Sequence, residues 1–393
     1  MLNDRFEGEK SIMRERKLKL IGNIDGVGWS HTGWKHHDMP SNASESINHY
    51  VEKAKQLENG KFDAIFLADV SHIGPGMIPH YLSMFEGISI LSALSMVTKS
   101  IGLIATIATS YADPFTVARQ VASLDKISNG RAGWNAITSN PGGLANYSRS
   151  HLNKSDLYPM KKEFLEIVEG LWDSYEDDAF IRDKESGIFY DPRKMHPLYY
   201  KGKYFSVDGP LNVSRSRQGR PVIFQAGTSS DFMDIAAKHA EGIMAPGDHF
   251  DYLKGYTAEL KRRVQDQGRS PDDFLMMPAQ NPIVGATEKE ALEKLKEIES
   301  FMPIGHRLPR PQFIGSAENV AEQIEHWYRE GIMDIMLIRQ NGPSGFEDFI
   351  KLVVPILQDR GIVRTDYNDD QPTLRGNLEL PYPESMYTKS VRL

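Results

Sequence analysis

Cysteine is absent from the 393 residues. That excludes disulfides, thiolate nucleophiles and cysteine-zinc sites. No block of like charge stands out among the 46 basic and 53 acidic residues, which leave a net charge of −7. Without a basic stripe the chain has no electrostatic footprint for nucleic acid. Long hydrophobic runs are missing too. The most apolar stretch, 87–109, is interrupted by Lys99 and by several Ser and Thr residues. It predicts a buried helix followed by a strand, not a membrane span. The opening segment MLNDRFEGEKSIMRERKLKL is polar and charged and lacks the apolar centre of a secretory signal, so a cytoplasmic location is expected. Several catalytic signatures are missing as well. No HExxH, P-loop, Ser-His-Asp order or pair of glycosidase carboxylates is evident.

What is present is ordinary globular material, 40% hydrophobic and 25% charged, enough for a large core. Short apolar runs alternate with amphipathic stretches. Strands are predicted at 18–24, 62–68, 101–109, 131–138, 221–227, 242–246, 274–284 and 332–339. Helices are predicted at 44–59, 86–98, 114–128, 159–175, 231–240, 251–267, 287–299, 316–330 and 346–360, with Pro355 bending the last or removing a hydrogen bond from it. The strands read as continuous apolar runs, as in parallel sheets covered on both faces. Eight βα repeats point to a (β/α)8 TIM barrel with insertions. The rival is a doubly wound open sheet, but no GxGxxG follows the first strand.

The expected division is an N-terminal arm over 1–17, a single barrel over 18–361 and a C-terminal tail over 362–393. The tail is expected to wrap the surface or meet another subunit. Two stretches break the βα rhythm: a Gly/Asn/Ser-rich loop at 140–158 and a hairpin-containing segment at 176–220. Loops of that length usually act as lids or are insertions.

A barrel keeps its chemistry at the carboxyl ends of its strands. Those ends carry Asn23 and Asp25, then Asp69, then Thr106, Thr109 and Ser110, then Asn135, Thr138 and Ser139. Gln225, Gly227, Thr228 and Ser229 follow, then Gln280 and Asn281, and last Arg339, Gln340 and Asn341. Hydroxyls and amides dominate, and such groups orient a polar heterocycle or a phosphate better than they hydrolyse a bond. In QAGTSSDFMDIAA, exposed amides and hydroxyls at a helix start suit a phosphate. The alternative is a plain helix cap by Ser229 or Ser230. The loop HTGWKHHD holds His31, His36 and His37, but its spacing matches no metal pattern, and no metal is expected. Trp29, Trp34 and Trp134 either wall an aromatic pocket or pack as core and lid. Tyr158 lies where its hydroxyl could reach a ligand or could simply sit on the rim.

The segments FDAIFLAD, IGLIATIATSY, ARQVASLDKISNGRAGWNAITS, FLEIVEGLWDSYEDDAFIRDK, HPLYYKGKYFSVDGPLNV and PVIFQAGTSS resemble, in order, the bacterial-luciferase-like flavin-dependent monooxygenases. The resemblance is to the nitrilotriacetate monooxygenase component A branch, which includes long-chain alkane, EDTA and dibenzothiophene-sulfone monooxygenases. It covers about 18–299 and 316–380. It implies a TIM barrel, and reduced FMN (FMNH2) supplied by a separate NAD(P)H-dependent flavin reductase. It also implies O2 as cosubstrate, a flavin C4a-(hydro)peroxide, and insertion of one oxygen atom into a small organic substrate. A homodimer or homotetramer is implied as well.

Carried over position by position, the family's flavin contacts are Asp69, Thr106, Tyr158 and Ser229. Lys154 stands where the family has a His and could still meet phosphate. Asn140 follows Ser139 where some relatives carry a His linked to catalysis, so no catalytic residue is assigned. At 300–316 the family usually carries several dozen more residues. A sulfur compound, an amine carboxylate, an alkane or a natural-product ring all remain compatible as substrate. The alternatives to an oxygenase are a deazaflavin-dependent hydride-transfer enzyme of the same superfamily and a non-catalytic flavin-binding protein.

Overall fold

The computed structural model describes residues 16–138, 141–148, 153–245, 249–302, 313–340, 342, 344–367 and 373–388. Eight parallel strands close into a barrel. They are β1 (Lys19–Asn23), β2 (Ala64–Leu67), β3 (Gly102–Ala108), β4 (Ala132–Ile137), β5 (Val222–Ala226), β6 (Gly242–Ala245), β7 (Leu275–Gln280) and β8 (Ile335–Arg339). β8 pairs back onto β1, with Asn23 in register with Arg339. The open-sheet alternative therefore falls, because neither edge is free. Ile21, Ala64, Phe66, Ile104, Val222, Phe224, Leu275, Met277, Ile335 and Leu337 pack inside the barrel as one cluster. Alternate residues, such as Leu20, Ile65 and Leu103, are buried against the outer helices. Burial on both faces is why the strands read as unbroken apolar runs.

The covering helices are α1 (Ile47–Asn59), α2 (Gly87–Ser95), α3 (Pro114–Ile127), α4 (Leu157–Trp172), α5 (Ser230–His239), α6 (Phe250–Asp266), α7 (Glu288–Ser300) and α8 (Ala317–Arg329). Side chains cap several of them: Ser46 on α1, Asp113 on α3, Thr287 on α7 and Ser316 on α8. The helix after β8 runs over 345–359 and contains a π turn at Phe349–Val353. Pro355 has no N–H to offer the carbonyl four residues back, and the Val354 N–H bonds to the Phe349 carbonyl, five back. Among the described residues, no helix is long and apolar enough to cross a membrane.

Two expectations need correction, and a third resolves between its alternatives. The run 274–284 is not one strand. It breaks at Asn281-Pro282, and Ile283–Gly285 pairs in parallel with Ile314–Ser316 outside the barrel. Proline cannot donate to a ladder, so the barrel strand ends there. Of the two readings of 176–220, lid or insertion, the described contacts favour an insertion. Its hairpin, Tyr200–Lys201 with Ser206–Val207, lies along the outer flank of α4. The Lys203 and Tyr204 amides donate to Glu163, and Tyr200 Oη donates to Glu166. Arg215 pins the segment's far end to Asp173 at 2.9 Å. The other correction concerns the tail. Leu374, Leu378 and Leu380 join the barrel's interior cluster, entering at the amino ends of the strands. Leu374 N–H bonds to Gly130, just before β4, and Asn377 donates to the carbonyls of Asp63 and Ser100, just before β2 and β3. Gly133 lies against this plug: a Cβ there would sit 2.7 Å from a Leu374 methyl and force it to shift.

The same end explains the motif DKISNGRAGWN. Buried Arg131 donates to the carbonyls of Ser95, Thr98, Ile101 and Ser128. Asp125 accepts from Gln218 and from the Ala132 amide. Both residues hold loops together, far from any strand's carboxyl end.

One buried cation ties α4 and α5 to the barrel. Lys161 is fully buried, donates to the Ala136 carbonyl of β4 at 2.9 Å, and lies over the Phe232 ring of α5. Burial pulls its amine down to about 7. From pH 7 to about 10.5 the unfolded chain binds a proton that the native one does not, so this group makes stability rise with pH.

Two outcomes follow for denaturant unfolding of the FMN-free protein. Leu374→Ala should lower stability by about 2–5 kcal/mol through an unfilled cavity in the plug; no loss would show that the tail is not part of the core. Lys161→Met should be more stable than the parent at pH 7. Its advantage should shrink by about 2 kcal/mol by pH 9, where the native amine is neutral. An advantage constant with pH would contradict the buried charge.

Candidate active site

The carboxyl ends of the strands bring together more polar groups than can satisfy one another. Asn23 ends β1, Thr106 lies on β3, Asn135 on β4, Gln225 on β5, Gln280 on β7 and Arg339 on β8. Thr138 and Asn281 follow β4 and β7 directly. Pairing register places Thr106 beside Asn135 and Ala136 beside Gln225. Asn135 Nδ2 donates to Thr106 Oγ1 at 3.1 Å. Even so, Asn23 Oδ1, Asn135 Oδ1, Thr138 Oγ1, both amide atoms of Gln225, Gln280 Nε2, Asn281 Oδ1 and Arg339 Nε are buried without a hydrogen-bond partner. Each such atom costs on the order of 1–3 kcal/mol. Their concentration at one mouth marks the seat of a polar ligand. The end of β6 leads into 246–248, outside the described residues, as are Ser139, Asn140, Asn341 and most of 300–316.

The five residues expected to contact flavin occupy neighbouring positions around one arc, from β2 to α5. Asp69, half-buried after β2, accepts from the Gly87 amide at the start of α2 at 3.1 Å. Burial raises its carboxyl above the ordinary value, partly offset by that bond. Thr106 is buried on β3. Tyr158 is half-buried in the first turn of α4, one turn before Lys161. Ser229 is exposed and caps α5, its Oγ accepting from the Phe232 amide at 3.2 Å. Since Lys161 touches the Phe232 ring, the starts of α4 and α5 lie side by side. Thr228 and Ser230 are exposed there as well. Lys154 is exposed in the turn before α4. The cap role of Ser229 is therefore present, and its hydroxyl hydrogen is still free to donate.

A second polar group sits on the opposite arc, around β1 and β8. Asp25 is buried, and its Oδ2 accepts from Asn23 Nδ2 at 2.6 Å. His80 approaches it, with Nε2 3.9 Å from Asp25 Oδ1, while His80 Nδ1 lies 2.9 Å from Ser44 Oγ. Burial pushes Asp25 up to about 7 against the pull of Arg339, and pushes His80 down to about 4. At neutral pH the imidazole is uncharged. Arg339 stacks on Trp29, its guanidinium carbon 4.0 Å from the ring centroid, and Trp29 meets Tyr81 edge-on.

His80 and Tyr81 were not singled out in the sequence, although SHIGPGMIPHYL directly follows a barrel strand and so had to lie at the mouth. The tryptophans divide. Trp29 lines the mouth, Trp34 is exposed, and Trp134 is fully buried against Phe164 and Trp172 outside the barrel. Trp134 is core, because its side chain points away from the barrel axis. His36, His37 and Asp38 cluster with potential ligand atoms within 4.8 Å. His37 and Asp38 are exposed chain neighbours, and nothing beyond proximity marks a metal there.

The chain's residues 29–341 match the family model described as luciferase-like monooxygenase. The chain is 37% identical to N-acetyl-S-(2-succino)cysteine monooxygenase of Bacillus subtilis, over 96% of this chain and 99% of that protein. It is 31% identical to nitrilotriacetate monooxygenase component A of Aminobacter aminovorans, over 96% and 99% of the two chains. Among solved structures, EDTA monooxygenase from Chelativorans sp. BNC1 superposes with a TM-score of 0.84 at 27% identity, covering 93% of this chain and 99% of that one. Long-chain alkane monooxygenase superposes with a TM-score of 0.85 at 31% identity, covering 92% and 95%. A closed parallel barrel with a polar, unsatisfied mouth, together with these similarities, shows that the chain belongs to the luciferase-like monooxygenase family and is an oxygenase.

Proposed function

We propose that this chain is the oxygenase component of a two-component system, taking reduced FMN from a separate NAD(P)H-dependent flavin reductase. The observation that carries the proposal is the set of buried, unpartnered amides and hydroxyls at the mouth. Bound FMNH2 would satisfy those atoms and supply the chemistry, activating O2 and passing one oxygen atom to the substrate while the other leaves as water. The name of the Aminobacter relative, component A, supports a partner that delivers the flavin.

The chain's own residues then bind, orient and keep water out. Hydroxyls of Tyr158, Thr228 and Ser229 at the adjoining starts of α4 and α5 would hold the phosphate, which would also gain from the helix N-terminus. Lys154 adds an ammonium at the rim. Asp69, after β2, and Thr106, on β3, would hold the ring or ribityl chain. Amides at Asn135 and Gln225 can each donate and accept, so they suit a heterocycle edge with both kinds of group. Trp29 and Tyr81 line the other side with apolar surface, which keeps bulk water from the reacting face. The deazaflavin alternative has weaker support. An F420-dependent secondary alcohol dehydrogenase of known structure is only 15% identical to this chain and shares the fold alone.

Anaerobic titration followed by rapid mixing with O2 tests the reading. The protein should bind FMNH2, and the bound flavin should reoxidise in a separate, slower phase than free FMNH2. Reoxidation identical to that of free flavin would contradict it. Ser229→Ala should weaken FMNH2 binding by about 1–3 kcal/mol, the loss of a hydrogen bond to a charged group. Ser229→Gly, which keeps most of the cap, should weaken it equally. Unchanged dissociation constants in both would leave Ser229 as a cap alone.

A further inference from the structure

The mouth holds one cation that the arrangement above does not use. Arg339 ends β8, beside Asn23 of β1 in the pairing register, and on the far side of the barrel from the starts of α4 and α5. Among the described residues its guanidinium makes no hydrogen bond and no ion pair. Its described contact is the stack on the Trp29 ring at 4.0 Å, and its Nε is buried without a partner. Asp25 contributes attraction from a distance but no contact, since its own close partners are Asn23 and His80.

A desolvated guanidinium without a counter-ion is costly to keep. The indole face holds the guanidinium flat. Its N–H edges are left to accept a planar, two-oxygen partner, which is the geometry a carboxylate offers. The neighbouring orphan at β7, Gln280 Nε2, is a further donor without an acceptor. Unpaired acceptors, Asn23 Oδ1 and Asp25 Oδ1, lie on the same arc, but neither bonds the guanidinium. A neutral hydrocarbon placed there would leave the guanidinium unpaired, whereas a carboxylate would pair with it.

We propose that Arg339, stacked on Trp29, is the specificity-determining residue that grips a carboxylate of the substrate, so that this oxygenase acts on small organic acids. The inference rests on the oxygenase reading for its chemistry, and on the unpaired guanidinium alone for its binding site. Arg339 binds substrate, and Trp29 is a positioning residue acting through it.

Calorimetric titration tests the site with matched probes: aliphatic dicarboxylic acids of four to eight carbons and their diamides, with and without FMN. At least one acid should bind the parent protein at least tenfold more tightly than its diamide. Arg339→Met should abolish that preference, and Arg339→Lys, which keeps charge without the planar fork, should retain part of it. FMN affinity of Arg339→Met serves as the folding control and should stay within twofold of the parent. The proposal is overturned if the parent treats acids and diamides alike, if the preference survives in Arg339→Met, or if that variant loses FMN affinity tenfold, which would assign the guanidinium to the flavin. The two readings fail separately. A protein that discriminates the acids yet binds no FMN keeps the anion site and loses the flavin. One that binds FMN and ignores the acids does the reverse.

Discussion

Unpaired hydrogen-bonding capacity at one end of a closed barrel governs this molecule. Eight parallel strands point their carboxyl ends at a common mouth, and the side chains placed there are amides, hydroxyls and one guanidinium. They cannot satisfy one another: Asn135 bonds Thr106 with its Nδ2 yet leaves its Oδ1 free, and Gln225 has neither amide atom paired. In a stable core such groups would be replaced by apolar ones. Keeping them costs stability that a polar ligand would return.

The opposite end of the barrel is built on the contrary rule. There most polar groups are paired, although Asn377 Oδ1 and Arg375 Nε are not. Arg131 spends its guanidinium on four backbone carbonyls, Asp125 is held by Gln218, Ser216 and the Ala132 amide, and Asn377 bonds two strand-entry carbonyls. Leu374, Leu378 and Leu380 close the interior. Stability is thus concentrated at the amino ends and binding capacity at the carboxyl ends, the division expected of this architecture. The flank segment 176–220 reinforces α4, whose first turn carries Tyr158, so rigidity far from the mouth still positions a mouth residue.

Much of this was legible in the sequence, for physical reasons. Strands buried on both faces leave apolar runs such as PVIFQAG, read as 221–227 and found at Val222–Ala226. Amphipathic spacing located the helices, and strand ends located Asn23, Asn135, Gln225, Gln280 and Arg339 at the mouth. Other features were hidden because they depend on contacts between distant segments. A polar tail does not announce that three of its leucines fill a barrel. Lys161 looks like any helix lysine until Ala136 and Phe232 close over it. Trp134 sits on a strand that ends at the mouth, but strand alternation turns it toward Phe164. The break at Pro282 was visible and was overridden by the apolar residues on either side. His80 carried a signal too, its place in the loop after β2, but nothing local showed that it would face Asp25.

The most direct measurement is a structure of the protein with FMN bound. The account predicts the isoalloxazine within the ring of strand ends, with Asn135 and Gln225 making hydrogen bonds of about 2.7–3.2 Å to it. The phosphate should lie at the starts of α4 and α5. Flavin seated elsewhere, with those amides still unpartnered, would contradict it.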